Sequence, residues 1–529
     1  MDSRRAFGHL RPPTADQLIE YARRHRMHLD ATGAAELVPV IAATITGFDV
    51  IDELTPPAPA PLQFRDRDPG REPSSQEDPY NAFIRLCRVP GASEGPLAGL
   101  TAGVKDCIAV AGVPMTNGSR MQPTYTPVED AVVVERILQA GATIVGKTNM
   151  EDLAMGLGEG TPYGAARNPR NPAYSTGGSS SGSAAAVVAG MVDFALGADE
   201  GGSVRIPSAW SGLVGMKATH GLVPSYGLTY FDHSIDHIGP LTRTVSDNAR
   251  VLGVIAGPDS RDPQWVRGLP DALDVGGLIG REVGGLTVGV VDEAIGPVGC
   301  TEDVVGCFEQ AIETLRGLGV TVKRVSVPLW QHAWSIENGV LAFGLRAMLD
   351  SYGAGYGHLG RIDVAASAVN AAQQATSADD LAPLTRVMLL VAEHLRDAYL
   401  GTHYGKAQNL RLALRDQIDA ALAGADALIM PTVPTVAMPL LDRRASLVEM
   451  IGRVAGNAVF NTCPTDLSGH PSLTVPAGTG AQELPVGLQL VGAKWGEATL
   501  YQLGAAFEGA ADVTLPPPAP VDVMAPASV

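Results

Sequence analysis

The sequence predicts an α/β protein with a largely parallel or mixed sheet. Two observations carry this. Short apolar runs such as ATIVGKTN, GLTVGVV and VTVKRVSVP alternate with helix-patterned runs such as DAVVVERILQAGA and TEDVVGCFEQAIETLRGLG, the pattern of strands joined through helices. The alternation then stops between about 330 and 420, where four stretches read as helices (330–350, 363–376, 380–400 and 404–423), and resumes with ADALIMPTVP, PSLTVPAG and GLQLVGAKWG.

Taken in order, Thr14 is placed to cap a helix through LIEYARRH, and AELVPVIAATI is a second helix leading to FDVIDEL. TPPAPAPLQFRDRDPGREPSSQEDP is too rich in proline and charge to bury a core and should lie extended on the surface. LAGLTAGVKDCIAV is strand-like with turns, and Thr301 is a candidate cap for the helix TEDVVGCFEQAIETLRGLG. These readings divide the chain into an N-terminal helical segment plus extended linker (1–94), a first part of the core (95–329), a helical insertion (330–423) and a second part of the core (424–529). No fixed-period repeat is visible.

Composition sets the bounds. A chain of 529 residues is too long for one ordinary core. The formal net charge of −18 speaks against nucleic acid and anionic membranes, which recruit basic patches, and otherwise serves solubility. Cys87, Cys107, Cys300, Cys307 and Cys463 contain no CxxC pair, which fits a reduced cytoplasmic compartment and not zinc. Cys107 reads as small apolar filler. No h-region follows the N-terminal MDSRRAFGHL, and no window has about 18 uninterrupted apolar residues. AAAVVAGMVDFALGA is broken by Asp193.

Chemistry concentrates in two stretches. TGGSSSGSAAAVVAG (176–190) looks like a flexible linker that runs into a buried helix. Its GSSSG matches the G-x-S-x-G nucleophile elbow, but that elbow follows a strand, and here a proline-broken loop, NPRNPAYSTG, precedes it. ALGADEGGSVRIPSAW (195–210) reads as strand, glycine turn and helix start. Ser203 then either caps the helix or sits as a nucleophile beside converging N–H groups.

These stretches, with GVKDCIAVAGVPMTNGSR, GATIVGKTNMEDLAMG, SIDHIGPLTRTVSDNARVL and GHPSLTVPAG, resemble the amidase signature family. The match is strong over roughly 95–260 and looser over 285–510, and the N-terminal and inserted helices resemble bacterial enantioselective amidases. The resemblance implies a mixed, mostly parallel central sheet flanked by helices. It implies a Ser-cisSer-Lys triad with Ser203 as nucleophile, Ser179 as the bridging serine after a cis peptide bond, and Lys105 of GVKD as base. It further implies an oxyanion hole from the backbone N–H groups of Glu200, Gly201, Gly202 and Ser203, support from Ser180, Asp199 and Arg205, and neither metal nor cofactor. Glu200 stands where many members carry threonine, isoleucine or glutamine, and its side chain is expected to point away.

The residue types suit the chemistry. A serine hydroxyl needs its proton removed, and a lysine accepts one only when neutral, which burial favours. Lys105 lies between apolar stretches, and Lys147 of VGKTN is the competing lysine. The implied activity is hydrolysis of a small-molecule amide. Carbamates, anilides and hydrazides are alternatives for the same machinery, a glutaminase subunit of a tRNA-dependent amidotransferase is another, and an inactive binding relative is a third. Met155, Tyr163, Phe460 and Asn461 are candidate pocket residues, with specificity expected from the helical insertion and from loops near 430–465. A homodimer through the N-terminal helices is also expected.

Overall fold

The computed structural model describes residues 10–122, 125–158, 160–264, 268, 273–357, 360–442, 445–454 and 458–518. It forms two compact units, Met1–Pro61 and Leu62–Val529.

In the first unit, Thr14 closes a reciprocal capping box with Gln17 at the start of helix Ala15–Arg24. Asp30 caps the second helix by accepting from Gly33 N–H at 2.7 Å. That helix runs from Ala31 to Glu53, so it takes in FDVIDEL rather than stopping before it. It is long and apolar enough to cross a membrane by length and composition. The expectation that no stretch qualifies rests on unbroken apolar runs, whereas here threonines, glycines and a few acids dilute the run without lowering its mean below that of a span. Leu37, Val40, Phe48 and Ile51 on it are exposed.

The second unit is built on one twelve-stranded sheet. Its strands are β1 (Asp68–Arg71), β2 (Phe83–Pro90), β3 (Thr101–Lys105), β4 (Thr143–Thr148), β5 (Phe194–Asp199), β6 (Val214–Lys217), β7 (His237–Thr242), β8 (Thr287–Val291), β9 (Thr321–Val325), β10 (Ala427–Pro431), β11 (Ser472–Thr479) and β12 (Pro485–Val491). They lie in the order β1-β2-β4-β3-β5-β7-β6-β11-β12-β10-β8-β9. The mixed sheet expected from the sequence is present, but it is not mostly parallel. Four of the eleven pairings are parallel, β3–β4, β3–β5, β8–β9 and β8–β10. The pairs β3–β4 and β8–β9 are joined through crossover helices, Val132–Gln139 and Glu302–Gly317. Elsewhere β11 and β12 are joined by a short turn that reverses the chain, and other neighbours meet from distant parts of the sequence. The extended linker contributes β1 as an exposed edge strand on β2.

Thr301 occupies the cap position of Glu302–Gly317, but its hydroxyl bonds Pro434 O instead of a helix N–H. Between β9 and β10 the chain forms helices Ala333–Asp350, Val364–Ser377, Pro383–Tyr399 and His403–Leu422. The first, third and fourth of these share a core with the strands β8 and β10, in which Trp330, Val340, Leu345, Leu414 and Ile418 meet Val291, Leu428 and Met430. Helix Ser181–Val188 is buried along its whole length. At Gly182 no side chain fits: a Cβ there would stand 2.2 Å from Ala82 O.

Candidate active site

The site forms where β3 and β5 end side by side. β3 carries Lys105 at its last position, and β5 ends at Asp199, feeding the loop 200–204 that enters helix Arg205–Ser211. The serine run lies against this edge. Its Gly178–Ser179 peptide is cis.

Lys105 is fully buried and its Nζ donates to Ser179 Oγ at 2.8 Å and to Ala198 O at 3.3 Å. The Ser180 N–H donates to Ser203 O at 3.3 Å, and the Ser180 hydroxyl to Ala198 O at 3.2 Å. The GSSSG segment is therefore packed against the loop that carries Ser203 and is not a mobile spacer. Ser203 does not cap the helix, whose first cap residue is Val204 with no side-chain cap bond. Lys147, the competing lysine, is also buried, but it lies 3.7 Å from Asp106 Oδ1 and donates to Ile108 O. Burial lowers its proton affinity while Asp106 offsets part of that. Cys107 is buried with its thiol pushed up to about 12 by desolvation, which leaves it inert filler.

Asp199 organises the loop. One carboxylate oxygen accepts from Gly202 N–H at 2.7 Å, and the other from Val204 N–H at 3.0 Å and Arg205 N–H at 3.3 Å. Arg205 adds Nε and Nη2 bonds at 3.0 and 2.8 Å. The same guanidinium reaches Asp466 at 2.6 Å, Thr462 O at 2.9 Å and Thr465 Oγ1 at 2.5 Å. Burial opposes ionisation of Asp199, but Arg205 outweighs it and holds the carboxyl well below the usual range.

Gly202 has φ +129°, and a Cβ there would fall 2.2 Å from Thr462 Oγ1. Its N–H is committed to Asp199. The expected oxyanion set is thereby corrected from four donors to two: the Glu200 N–H faces its own carboxylate, and among the described residues the N–H groups of Gly201 and Ser203 carry no backbone hydrogen bond.

A cavity of about 50 Å³ opens on Ser203. Met155, Leu157, Ile206, Phe231, Trp334, Leu341 and Val459 supply its apolar wall, with Gly178, Glu200 and Gly201 beside the serine. Of the expected pocket residues only Met155 lines it. Tyr163 is half-buried elsewhere, near Ser119. Phe460 packs into neighbouring cores. Asn461 is a structural tie, donating to Ala294 O and Pro431 O and accepting from Trp330 Nε1. Trp334 and Leu341 come from the inserted helices and Val459 from the 430–465 region. Their sequence signal, apolar residues at helical spacing, is the same as that of any core helix. A wider cleft of about 590 Å³, lined by His220, Tyr404 and Arg411, adjoins at Phe231, which faces both spaces. Among the described residues no three His, Cys, Asp or Glu side chains are grouped to hold a metal ion.

The Glu200 side chain does not turn out to solvent. It is 6% exposed, and burial raises its carboxyl from 4.5 to about 7, with Lys105 opposing the shift.

Comparison with known proteins places this geometry. The Amidase family model matches residues 84–501. A glutamyl-tRNA(Gln) amidotransferase subunit of Natronomonas pharaonis is 40% identical over 443 residues, covering 81% of this chain and 99% of the relative. The corresponding protein of Halobacterium salinarum is 40% identical over 436 residues, with the same coverages. Among solved structures, the native peptide amidase from Stenotrophomonas maltophilia is 30% identical with a TM-score of 0.64, covering 81% of this chain and 85% of that one. The glutamyl-tRNA(Gln) amidotransferase subunit from Thermotoga maritima is 29% identical with a TM-score of 0.66, covering 83% and 89%.

Two outcomes follow from the electrostatics. Arg205→Ala leaves Asp199 and Asp466 buried without their cation and should cost about 3–5 kcal/mol of stability, read by chemical unfolding. Glu200 stabilises the fold while protonated, so its contribution is full below about 4.5 and is lost as pH rises through about 7. Glu200→Gln should therefore flatten the fall in stability between pH 5 and 8 relative to wild type, measured by thermal unfolding across that range.

Proposed function

Because the chain belongs to the amidase family, we propose that it is a serine amidase that cleaves a small carboxamide through a Ser203 acyl-enzyme. Action on a C–N amide bond is the property its family and its relatives share. The observation that carries the finer reading is the buried 2.8 Å contact of Lys105 Nζ with Ser179 Oγ, beside a serine that opens on an apolar cavity.

In this reading Lys105 draws a proton from Ser179 as Ser179 takes the proton of Ser203. Ser203 Oγ attacks the carbonyl, and the developing oxyanion is met by the N–H groups of Gly201 and Ser203. Lys105 returns the proton through Ser179 to the leaving nitrogen. Water then repeats the relay against the acyl-enzyme and releases the acid. Asp199 and Arg205 act by fixing the loop that carries these donors.

Carbamates, anilides and hydrazides present the same carbonyl and remain substrates to compare. A second reading, the glutaminase subunit of a tRNA-dependent amidotransferase, is favoured by 40% identity over 99% of two such subunits. The cavity argues for the first. Glutamine brings an α-carboxylate, and no cationic side chain lines the space beside Ser203.

The test is hydrolysis of an aliphatic amide, an aromatic amide, an anilide, an aryl carbamate and glutamine by wild type and Ser203→Ala. Turnover of a neutral amide or carbamate in preference to glutamine, lost by at least 10³-fold in the variant, is expected. Preferential turnover of glutamine supports the amidotransferase reading.

The partner of the N-terminal unit is read as a second copy of the chain, because Val40, Phe48 and Ile51 are exposed on a helix in water. Sedimentation at micromolar concentration should give a dimer that Val40→Glu with Phe48→Glu reduces to monomer. A wild-type monomer that binds lipid vesicles would assign that face to a membrane instead. The five cysteines are free, in keeping with a reduced cytoplasmic setting.

A further inference from the structure

We infer that the recess between helix His403–Leu422 and one end of the sheet binds the phosphate group of a small phosphorylated molecule, held by Arg411, Arg415 and Lys494. The recess shares no lining residue with the cavity at Ser203, and the inference does not depend on the amidase reading.

The sheet builds the recess. Strands β6, β11 and β12 are neighbours. Ser472, the first residue of β11, is in register with Lys217 at the end of β6 and with Val491 at the end of β12. The segments that follow β6, precede β11 and follow β12 therefore leave the sheet at the same end, and they carry His220, His470 and Lys494. Helix His403–Leu422 closes the space with Arg411, Arg415 and Asp419, which are spaced four residues apart and so share one face. The enclosed volume is about 380 Å³.

The lining is positive in a protein whose formal net charge is −18. Three cations meet one carboxylate there, and that carboxylate is engaged: Asp419 Oδ1 lies 3.0 Å from His470 Nε2. Arg411 is half-buried. Its Nε donates to Gln408 Oε1 at 2.5 Å and its Nη1 to Leu467 O at 3.4 Å, and among the described residues it has no ion pair. Asp232, the nearby acid, already accepts from the Ser234 N–H and hydroxyl and from Tyr404 Oη. Lys494 has no ion pair among the described residues either, and its Nζ lies 4.8 Å from the centre of the Trp495 ring. Arg415 meets Asp416 at 3.2 Å, but that pair is exposed and therefore weak. Arg411 and Arg415, one helical turn apart, repel each other. Burial takes the His220 imidazole down to about 3, and Lys217, Arg411 and Lys494 add to the effect, so the ring between these cations stays neutral.

The missing group is an anion. A partly buried cation is costly without a counter-charge. A phosphate monoester brings nearly two negative charges and three acceptor oxygens in one group at neutral pH, which answers the two positive charges left once Asp419 is counted. A carboxylate brings only one. The planar forks of two arginines suit phosphate oxygens in pairs. The body of the molecule has a place too. The recess shares His220, Ser234 and Arg411 with the wider cleft of about 590 Å³. There the rings of Tyr230 and His233 stack at 4.3 Å and offer a flat surface.

The test is calorimetric titration of the full chain at constant ionic strength and about pH 7.5, where a phosphate ester is mostly dianionic. The probes are inorganic phosphate, pyrophosphate and phenyl phosphate, with acetate, malonate and benzoate as carboxylate counterparts. The best phosphate should bind at least about ten-fold tighter than its counterpart. Arg411→Gln and Lys494→Gln should each weaken it by about ten-fold, while Arg316→Gln on helix Glu302–Gly317 and Ser203→Ala leave it unchanged. Circular dichroism checks the fold of each variant, and Lys494, being exposed, keeps the test decisive if Arg411→Gln fails to fold. Undetectable binding of all three phosphates, equal or tighter binding of the carboxylates, binding that survives Lys494→Gln and Arg411→Gln, or binding lost in Ser203→Ala overturns the inference.

Discussion

The ion pair between Asp199 and Arg205 is the contact on which the site depends. A loop of five residues must leave a buried strand, turn sharply and enter a short helix. Loops of that shape cannot hold themselves in place by packing, since Gly201 and Gly202 have no side chains to pack. Asp199 supplies the hold by accepting from the N–H groups of Gly202 and Val204 in the loop and of Arg205 at the helix start, and Arg205 keeps that carboxylate ionised inside the protein. A buried pair of this kind adds little net stability compared with apolar residues, but breaking it strands a charge. Its value here is geometric. By reaching Thr462, Thr465 and Asp466, Arg205 also ties the loop to a segment some 260 residues further along the chain. The two separated parts of the core thus meet at the loop that carries Ser203.

Much of the site is legible in the sequence because it is made of local motifs. Lysine between apolar runs, a glycine–serine run before a small-residue helix, and paired glycines before a serine each imply a backbone demand that few other residues satisfy. What cannot be read depends on distant contacts. Strand direction escapes because apolar strands look alike whichever way their neighbours run, and most neighbours here are joined by neither a hairpin nor a single helix. The commitment of Gly202 N–H to Asp199 is invisible because it turns on one side-chain orientation. The pocket is hidden for a third reason. Trp334 and Leu341 carry the periodicity of an ordinary helix face, and only the fold shows that this face looks onto Ser203. Tyr163, Phe460 and Asn461 come from the right neighbourhoods, but packing spends them elsewhere.

Family membership sets the chemistry, and the pocket sets the difference among members. The relatives include a peptide amidase and amidotransferase subunits, so likeness of the core does not choose a substrate. The wall of the cavity that opens on Ser203 takes Trp334 and Leu341 from helix Ala333–Asp350, and Glu200 lies beside the serine. A glutamate there would oppose an oxyanion if it were ionised and faced it. Buried beside Ser203, it has its carboxyl raised to about 7 by desolvation, which favours the uncharged form, with Lys105 opposing the shift.

The most direct test of the relay is to treat wild type with a serine-directed fluorophosphonate and locate the adduct by peptide mass spectrometry, alongside Ser203→Ala and Lys105→Ala. One adduct is expected, on Ser203, absent from Ser203→Ala and formed far more slowly in Lys105→Ala. An adduct on another serine, or undiminished labelling of Ser203→Ala, would contradict the assignment of the nucleophile and with it the relay built on Ser179 and Lys105.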